Sequence, residues 1–65
     1  MTVGIIGLGL IGGSMAKAYK KNSDCAVLAA DQDRTIVEYA RLRGEVDGEL
    51  TPEAIPSCGL ILIAL

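Results

Sequence analysis

Residues 2–14 read TVGIIGLGLIGGS, and this stretch decides the fold. It opens with a short, mostly apolar run that is typical of a buried strand, and a glycine-rich turn follows at once. From residue 10 onward the apolar side chains recur at helical spacing, with Ile11, Met15 and Tyr19 on one face. A strand, a tight glycine turn and a helix in this order predict the start of an α/β fold.

The rest of the chain continues this alternation of apolar runs and helical stretches. We predict strands over residues 2–6, 25–30 and 60–65, a very short strand that starts at Val46, and helices over residues 10–22 and 34–43.

Residues that typically begin and end helices stand at the predicted boundaries. Asp33 can cap the second helix, and Gly44 follows it at the position where glycine commonly ends a helix. Thr51 is predicted to cap a short third turn, which starts with Pro52 and ends at Pro56.

The order of these elements, β-α-β-α-β-short helix-β, predicts a partial Rossmann-type fold of the α/β class, a doubly wound parallel sheet. Right-handed crossovers give this sheet the strand order 3-2-1-4. Strands 25–30 and 60–65 are apolar throughout, so we expect both to be buried on both faces. We also expect the sheet to be truncated within its fourth strand, and the isolated chain to be poorly folded or to self-associate through that open edge.

The composition excludes several classes of protein. Of the 65 residues, 51% are hydrophobic and 22% are charged, which excludes a disordered chain, and the 3% of aromatic residues leave an aliphatic core. There is no histidine, and the two cysteines do not form a metal-ligand pair, so we predict no metal site. No segment resembles a signal peptide or a membrane span, which predicts a cytoplasmic protein with reduced thiols.

The charges are unevenly distributed along the chain. Residues 1–44 carry six basic and four acidic residues, a net of +2, whereas residues 45–65 carry four acidic residues and no basic ones, a net of −4. The total of −2 does not favour nucleic acid or an anionic membrane as a partner. We expect any anion site in the positive part, and we interpret Lys17, Lys20 and Lys21 as a solvated helix end.

The glycine turn matches the G-x-G-x-x-G fingerprint of dinucleotide-binding folds. Its predicted cofactor-binding residues are Gly7, Leu8, Gly9, Leu10, Ile11 and Gly12. Gly7 allows the tight turn, Gly9 lets a pyrophosphate approach the backbone, and Gly12 lets helix and strand pack closely. The free N–H groups at the start of the helix, together with the helix dipole, bind the diphosphate. The alternative is a turn whose glycines serve packing only.

Two charged residues after the second strand are further candidates for cofactor binding. Asp31 follows Gly12 by 19 positions, where a carboxylate that binds the adenosine ribose is expected. Its charge would repel a 2′-phosphate, so it predicts NAD rather than NADP; the alternative is a polar residue that ends a strand or caps a helix. Arg34 could stack on adenine, meet a 2′-phosphate, or be an ordinary solvated side chain.

Residues 3–14, VGIIGLGLIGGS, resemble the N-terminus of prephenate dehydrogenases. The sequence Gly-Leu-Gly-Leu-Ile-Gly-Gly-Ser is more specific than the general G-x-G-x-x-G fingerprint. Asp31, Gly44 and the apolar run 60–65 agree with the resemblance, which covers the whole chain but only about the first fifth to quarter of such an enzyme. The chain is therefore expected to be the N-terminal portion of a dinucleotide-binding domain, without the helical catalytic and dimerisation domain.

The resemblance implies oxidative decarboxylation of prephenate to 4-hydroxyphenylpyruvate, with hydride transfer to NAD⁺, in a homodimeric enzyme of tyrosine biosynthesis. Family members place their catalytic histidine, and a substrate-binding serine and arginine, after the fourth strand. Only Gly7, Gly9, Gly12 and Asp31 map onto family positions, and no catalytic residue can be carried over. The sequence does not decide between prephenate and arogenate as the substrate. Since fold does not determine substrate, another dehydrogenase or an imine reductase, and a regulatory module that senses NAD without turning it over, stay open as well.

Overall fold

The chain alternates strands with helices along its length. The computed structural model describes residues 1–22 and 24–64. In chain order the elements are β1 (Thr2–Ile6), α1 (Leu10–Asn22), β2 (Ala26–Ala30), α2 (Arg34–Leu42), β3 (Gly48–Glu49), a 3₁₀ helix (Pro52–Ser57) and β4 (Leu60–Ile63). All neighbouring strands are parallel, and their order is β3-β2-β1-β4. The predicted α/β fold and the predicted strand order are confirmed.

The core lies on one face of the two central strands. Alternate residues of a strand point to the same face, and the register pairs Val3 with Val27 and Ile5 with Ala29. These four side chains are fully buried. The helices cover them, because α1 packs on β1 and β2, and α2 packs on β2 and β3. The helix and loop residues that complete this core are Leu8, Ala16, Val37, Ala40 and Val46.

The opposite face of the sheet is less covered than the apolar strands predict. Leu28 on β2 is only half-buried, and Ile63 on β4 is 66% exposed. The prediction that both strands are buried on both faces is therefore wrong for the described residues. The reason is that the 3₁₀ helix and its flanking loops, rather than a full α-helix, lie between β3 and β4, and β4 forms an edge of this sheet.

Both ends of α2 are formed as the local residues predict. The Asp33 side chain accepts a hydrogen bond from the Thr35 N–H at 3.0 Å, which satisfies one of the open donors of the first turn. Gly44 has a φ of +75°, and the Glu45 N–H donates back to the Ala40 carbonyl at 2.9 Å. This is the C-terminal hydrogen-bond pattern that favours glycine, and it ends the helix one residue earlier than predicted.

The third strand and the turn after it differ from the sequence-based expectation. β3 begins at Gly48 rather than at Val46, because Val46 is a core residue in the loop and is 3% exposed. The 3₁₀ helix continues through Pro56 instead of ending there. Proline is tolerated because the hydrogen bond from the Cys58 N–H to the Ile55 carbonyl, at 3.1 Å, does not need its missing N–H. The Thr51 side chain makes no capping hydrogen bond, contrary to prediction.

The basic end of α1 faces the acidic segment that follows α2. Lys20 donates to Asp47 at 2.7 Å, and Lys17 lies 3.5 Å from Glu45. The second carboxylate oxygen of Asp47 accepts the Val27 N–H at 2.6 Å, so this side chain joins α1 to the start of β2. The interpretation as a solvated helix end is therefore wrong for Lys20, whereas the Lys17 side chain is solvated at 60% exposure. The uneven charge distribution brings opposite charges together within the fold.

Two features are absent from residues 1–22 and 24–64. No helix there has both the length and the apolar character needed to cross a membrane. No group of three or more His, Cys, Asp or Glu side chains there could hold a metal ion.

Candidate functional site

A cleft of about 590 Å³ lies at the carboxyl ends of the central strands. The last residues of β1 and β2, the glycine loop and the residue after β4 line it. β2 lies on one side of β1 in the sheet, and β4 lies on the other side of β1. The cleft is therefore at the point where the strand order reverses. Open parallel sheets bind ligands at such a point, and the volume lies within the range of about 300–1,000 Å³ that is usual for ligand pockets.

Gly7 turns the chain from β1 into the cleft. Its φ of +91° lies in the region that favours glycine. Its N–H donates to the Ala30 carbonyl at 2.8 Å, which ties the start of the loop to the end of β2. The loop therefore leaves the sheet at a defined angle, and α1 begins three residues later.

Gly12 lets the first turn of α1 lie directly against the loop. A Cβ atom at this position would be 2.0 Å from the Gly7 carbonyl oxygen and 3.1 Å from the Gly7 carbonyl carbon. Both are backbone atoms, so neither can move aside by a change of rotamer. The fold itself therefore requires glycine at position 12.

Gly9 is different, because the protein does not require glycine there. Among the described residues other than Gly9 itself and its two chain neighbours, no heavy atom lies within 4 Å of the place that its Cβ would take. The positive φ values that favour glycine occur at Gly7 and Gly44, not at Gly9. Gly9 is also one of the residues that line the cleft. A glycine that neither packing nor backbone conformation explains indicates close approach of a ligand to the backbone.

The start of α1 provides hydrogen-bond donors at this place. Gly13 donates to the carbonyl oxygens of Leu8 and Gly9 at 2.7 and 2.9 Å. The N–H groups of residues 10–12 come before the first intrahelical bond, so the helix itself offers them no acceptor. Gly9 precedes the helix and has no side chain that could cap it, and the first turn holds no acidic residue. Donors and helix dipole together favour an anion here.

Asp31 connects the end of β2 to two other segments. One carboxylate oxygen accepts the Leu8 N–H at 2.8 Å, and the other accepts the Asp33 N–H at 3.0 Å. The bonds from the Asp33 and Leu8 N–H groups hold the pKa of the Asp31 carboxyl below its ordinary value, so the group is ionised at neutral pH. An ionised carboxylate has about four acceptor positions, these two bonds use two of them, and Asp31 is one of the residues that line the cleft.

The structure brings Gly7, Gly9 and Asp31 together around the cleft, with Gly12 behind the loop. Arg34 is not among the residues that line this cleft; its guanidinium lies 3.5 Å from the Glu49 carboxylate and its side chain is 81% exposed.

The three apolar residues predicted within the loop contribute in different ways. The Leu8 side chain is 3% exposed and belongs to the core, so only its backbone faces the polar network. Leu10 is 93% exposed at the helix start, and the side chain of Ile11 lies outside the described structure.

The residue patterns did not identify Gln32 and Ala64, which also line the cleft. Ala64 directly follows β4, and Gln32 is the second residue after β2, so the rule that parallel sheets bind at their carboxyl edge could have indicated both.

Comparisons of the chain with protein-family models, with curated proteins and with solved structures found no match. The functional argument therefore depends on the geometry of the cleft and on the residues that form it.

Proposed function

We propose that the chain binds NAD⁺ in the cleft at the carboxyl edge of its sheet, as the nucleotide-binding portion of a prephenate dehydrogenase. The observation that carries the binding proposal is Gly9. It is a glycine that the fold does not need, it lines a cleft of about 590 Å³, and it stands directly before a helix whose first turn holds no acidic residue.

In this proposal the residues of the cleft bind and orient the dinucleotide. The N–H groups of residues 10–12 bind the diphosphate, and Gly9 leaves room for it. The acceptor positions of Asp31 that the Leu8 and Asp33 N–H groups do not use accept hydrogen bonds from the adenosine ribose. Because Asp31 is ionised, it disfavours a 2′-phosphate, and the proposal is therefore for NAD⁺ rather than NADP⁺.

The choice of enzyme is supported by the sequence of residues 7–14, GLGLIGGS, which resembles the N-terminal sequence of prephenate dehydrogenases. The nicotinamide of bound NAD⁺ supplies the hydride acceptor for oxidative decarboxylation of prephenate. The chain has no histidine, so the proposal assigns catalysis to groups in a further domain of a cytoplasmic, homodimeric enzyme and assigns only cofactor binding to these residues.

Calorimetric titration with NAD⁺ tests the binding proposal, on the protein that carries this sequence. The variant Gly9→Val should weaken NAD⁺ by at least about tenfold, or about 1.4 kcal/mol, because its side chain fills the space left for the diphosphate. Its circular dichroism should match that of the unchanged protein, since no described atom is near the new Cβ.

Gly48→Ala is the matched control. Its Cβ would be 3.6 Å from a Leu28 methyl group, an ordinary contact on the far strand β3, so NAD⁺ affinity should not change. Equal NAD⁺ affinity of Gly9→Val and the unchanged protein would show that the cofactor does not lie over this loop.

Substrate is tested separately, by following NADH formation with prephenate, with arogenate and without substrate. NADH formed only with prephenate supports the enzyme assignment. NAD⁺ binding without turnover of either compound would contradict it, and would favour a sensing module or a dehydrogenase of another substrate.

A further inference from the structure

The Asp31 carboxylate makes backbone hydrogen bonds that the sequence does not predict. Its two oxygens accept the Leu8 and Asp33 N–H groups, at 2.8 and 3.0 Å. Leu8 is 23 positions away in the sequence and belongs to the glycine loop, whereas Asp33 is the N-terminal cap of α2. One side chain thus joins the end of β2, the glycine loop and the start of α2.

The Leu8 peptide passes this connection on to α1. Its N–H donates to Asp31, and its carbonyl accepts the Gly13 N–H at 2.7 Å. The Leu8 side chain is buried at 3% exposure, so the residue cannot turn without leaving the core. A hydrogen-bonded path therefore runs from Asp31 through Leu8 to Gly13 in the first turn of α1, which directly follows the cleft-lining Gly9 and its neighbour in the loop.

We propose that Asp31 is a positioning residue for the diphosphate-binding loop: its carboxylate fixes the Leu8 peptide, and through it the donors at the start of α1. This inference depends on the proposed function for its ligand, but the link from Asp31 to Leu8 is independent of any ligand. Asp31 then supports dinucleotide binding in two ways, through the ribose and through the shape of the loop.

Physical chemistry supports this role for the side chain. The carboxylate is ionised, since the bonded N–H groups lower its pKa, and hydrogen bonds to a charged acceptor are stronger than neutral ones. The Leu8 N–H is partly buried. If it loses the Asp31 carboxylate as its acceptor, water can take the place of that acceptor only in part. Gly7, the residue before Leu8, donates its N–H to the Ala30 carbonyl. The hydrogen bond from the Leu8 N–H to Asp31 is the next attachment of the loop to the end of β2.

Inorganic pyrophosphate is the discriminating probe, because it has no ribose. If Asp31 acted on the ribose alone, Asp31→Ala would bind pyrophosphate equally well or more tightly, because a nearby negative charge is removed. The positioning role predicts the opposite sign, a loss of pyrophosphate affinity of about fivefold or more. Asp31→Asn keeps an acceptor oxygen and should lie between Asp31→Ala and the unchanged protein.

Asp24→Asn is the charge-matched control. Asp24 is exposed in the turn before β2, at the opposite end of that strand from the cleft. The substitution removes one negative charge without touching the loop, so pyrophosphate affinity should stay within about twofold of the unchanged value. A loss in Asp24→Asn equal to that in Asp31→Ala would overturn the proposal.

Amide hydrogen exchange tests the same link without a ligand. In Asp31→Ala the Leu8 and Gly13 amides should exchange about tenfold faster, while the amides of β1 keep their protection. Exchange that rises equally in β1 would indicate global destabilisation and overturn the positioning role, as would unchanged exchange at Leu8. If the unchanged protein binds neither NAD⁺ nor pyrophosphate, the proposed function fails, and exchange at Leu8 still decides whether Asp31 holds the loop.

Discussion

Gly12 and Gly13 are adjacent in α1, and replacing each one separately with alanine measures how closely the helix packs against the glycine loop. In Gly12→Ala the new Cβ would lie 2.0 Å from the Gly7 carbonyl oxygen, whereas in Gly13→Ala it would lie 3.4 Å from the Leu8 carbonyl oxygen, an ordinary contact. Gly12→Ala therefore requires a shift of more than about 1 Å between two backbone segments. Both variants gain the same intrinsic helix propensity, about 1 kcal/mol, so this contribution cancels in the comparison.

The magnitude follows from these distances. Overpacking of a well-packed site costs about 1–3 kcal/mol, and the upper end applies because both clashing atoms of Gly7 are backbone atoms. After the propensity gain, Gly12→Ala should destabilise the chain by about 2 kcal/mol and Gly13→Ala should stabilise it by about 1 kcal/mol. The difference of about 3 kcal/mol is large against a total stability of about 3–10 kcal/mol for a chain of this length.

Thermal and urea unfolding followed by circular dichroism measures this difference. A gap of about 3 kcal/mol corresponds to melting temperatures that differ by about 12–24 °C in a domain of this size. A Gly12→Ala variant that does not fold, beside a folded Gly13→Ala variant, gives the same answer. Free energies of unfolding within about 0.5 kcal/mol of each other would refute the close approach of α1 to the glycine loop.

Two further predictions concern acid stability and association. The hydrogen bond from Lys20 is the largest cause that lowers the pKa of Asp47 in the folded state, and the bond from the Val27 N–H is the next. The stability that Asp47 contributes is therefore fully present above its unfolded pKa. It is lost as the pH falls through the lower pKa of the folded state. Urea midpoints between about pH 6 and pH 2 should therefore fall less steeply in Asp47→Asn than in the unchanged protein, and parallel acid profiles would contradict the role of Asp47. On the open edge of β4, Ile63 is 66% exposed, and Ile63→Lys should weaken self-association measured by sedimentation, because a charged edge resists pairing with another strand. Equal sedimentation of the two proteins would show that association, if any, does not use this edge.

Much of the fold could be predicted because its signals are local. Apolar runs, helical spacing and the glycine turn predicted β1 and α1 with the bounds that the structure has. The right-handedness of crossovers then determined the strand order, since few arrangements of these parallel strands satisfy it. The residues around Gly44 ended α2 through backbone conformation, which depends on the residue itself.

These local signals could not predict how far the side chains of each strand are buried. Strands with apolar residues on both faces read as interior strands, yet Ile63 of β4 is exposed because a 3₁₀ helix takes the place of a longer element. Burial depends on what packs against a residue from elsewhere in the chain. The start of β3 was misplaced for the same reason, since Val46 is apolar for the core rather than for the sheet.

By itself the sequence determined the positions of the candidate site, because the spacing of Gly7, Gly9, Gly12 and Asp31 reflects the geometry of a strand, a turn and a helix. Only the tertiary structure separated their roles. It showed that a side chain at Gly12 would collide with backbone, that one at Gly9 would meet open space, and that Asp31 binds the loop through Leu8. These differences depend on distances between residues that the fold brings together, five positions apart for Gly12 and Gly7 and 23 apart for Leu8 and Asp31, and no propensity of a single residue encodes such a distance.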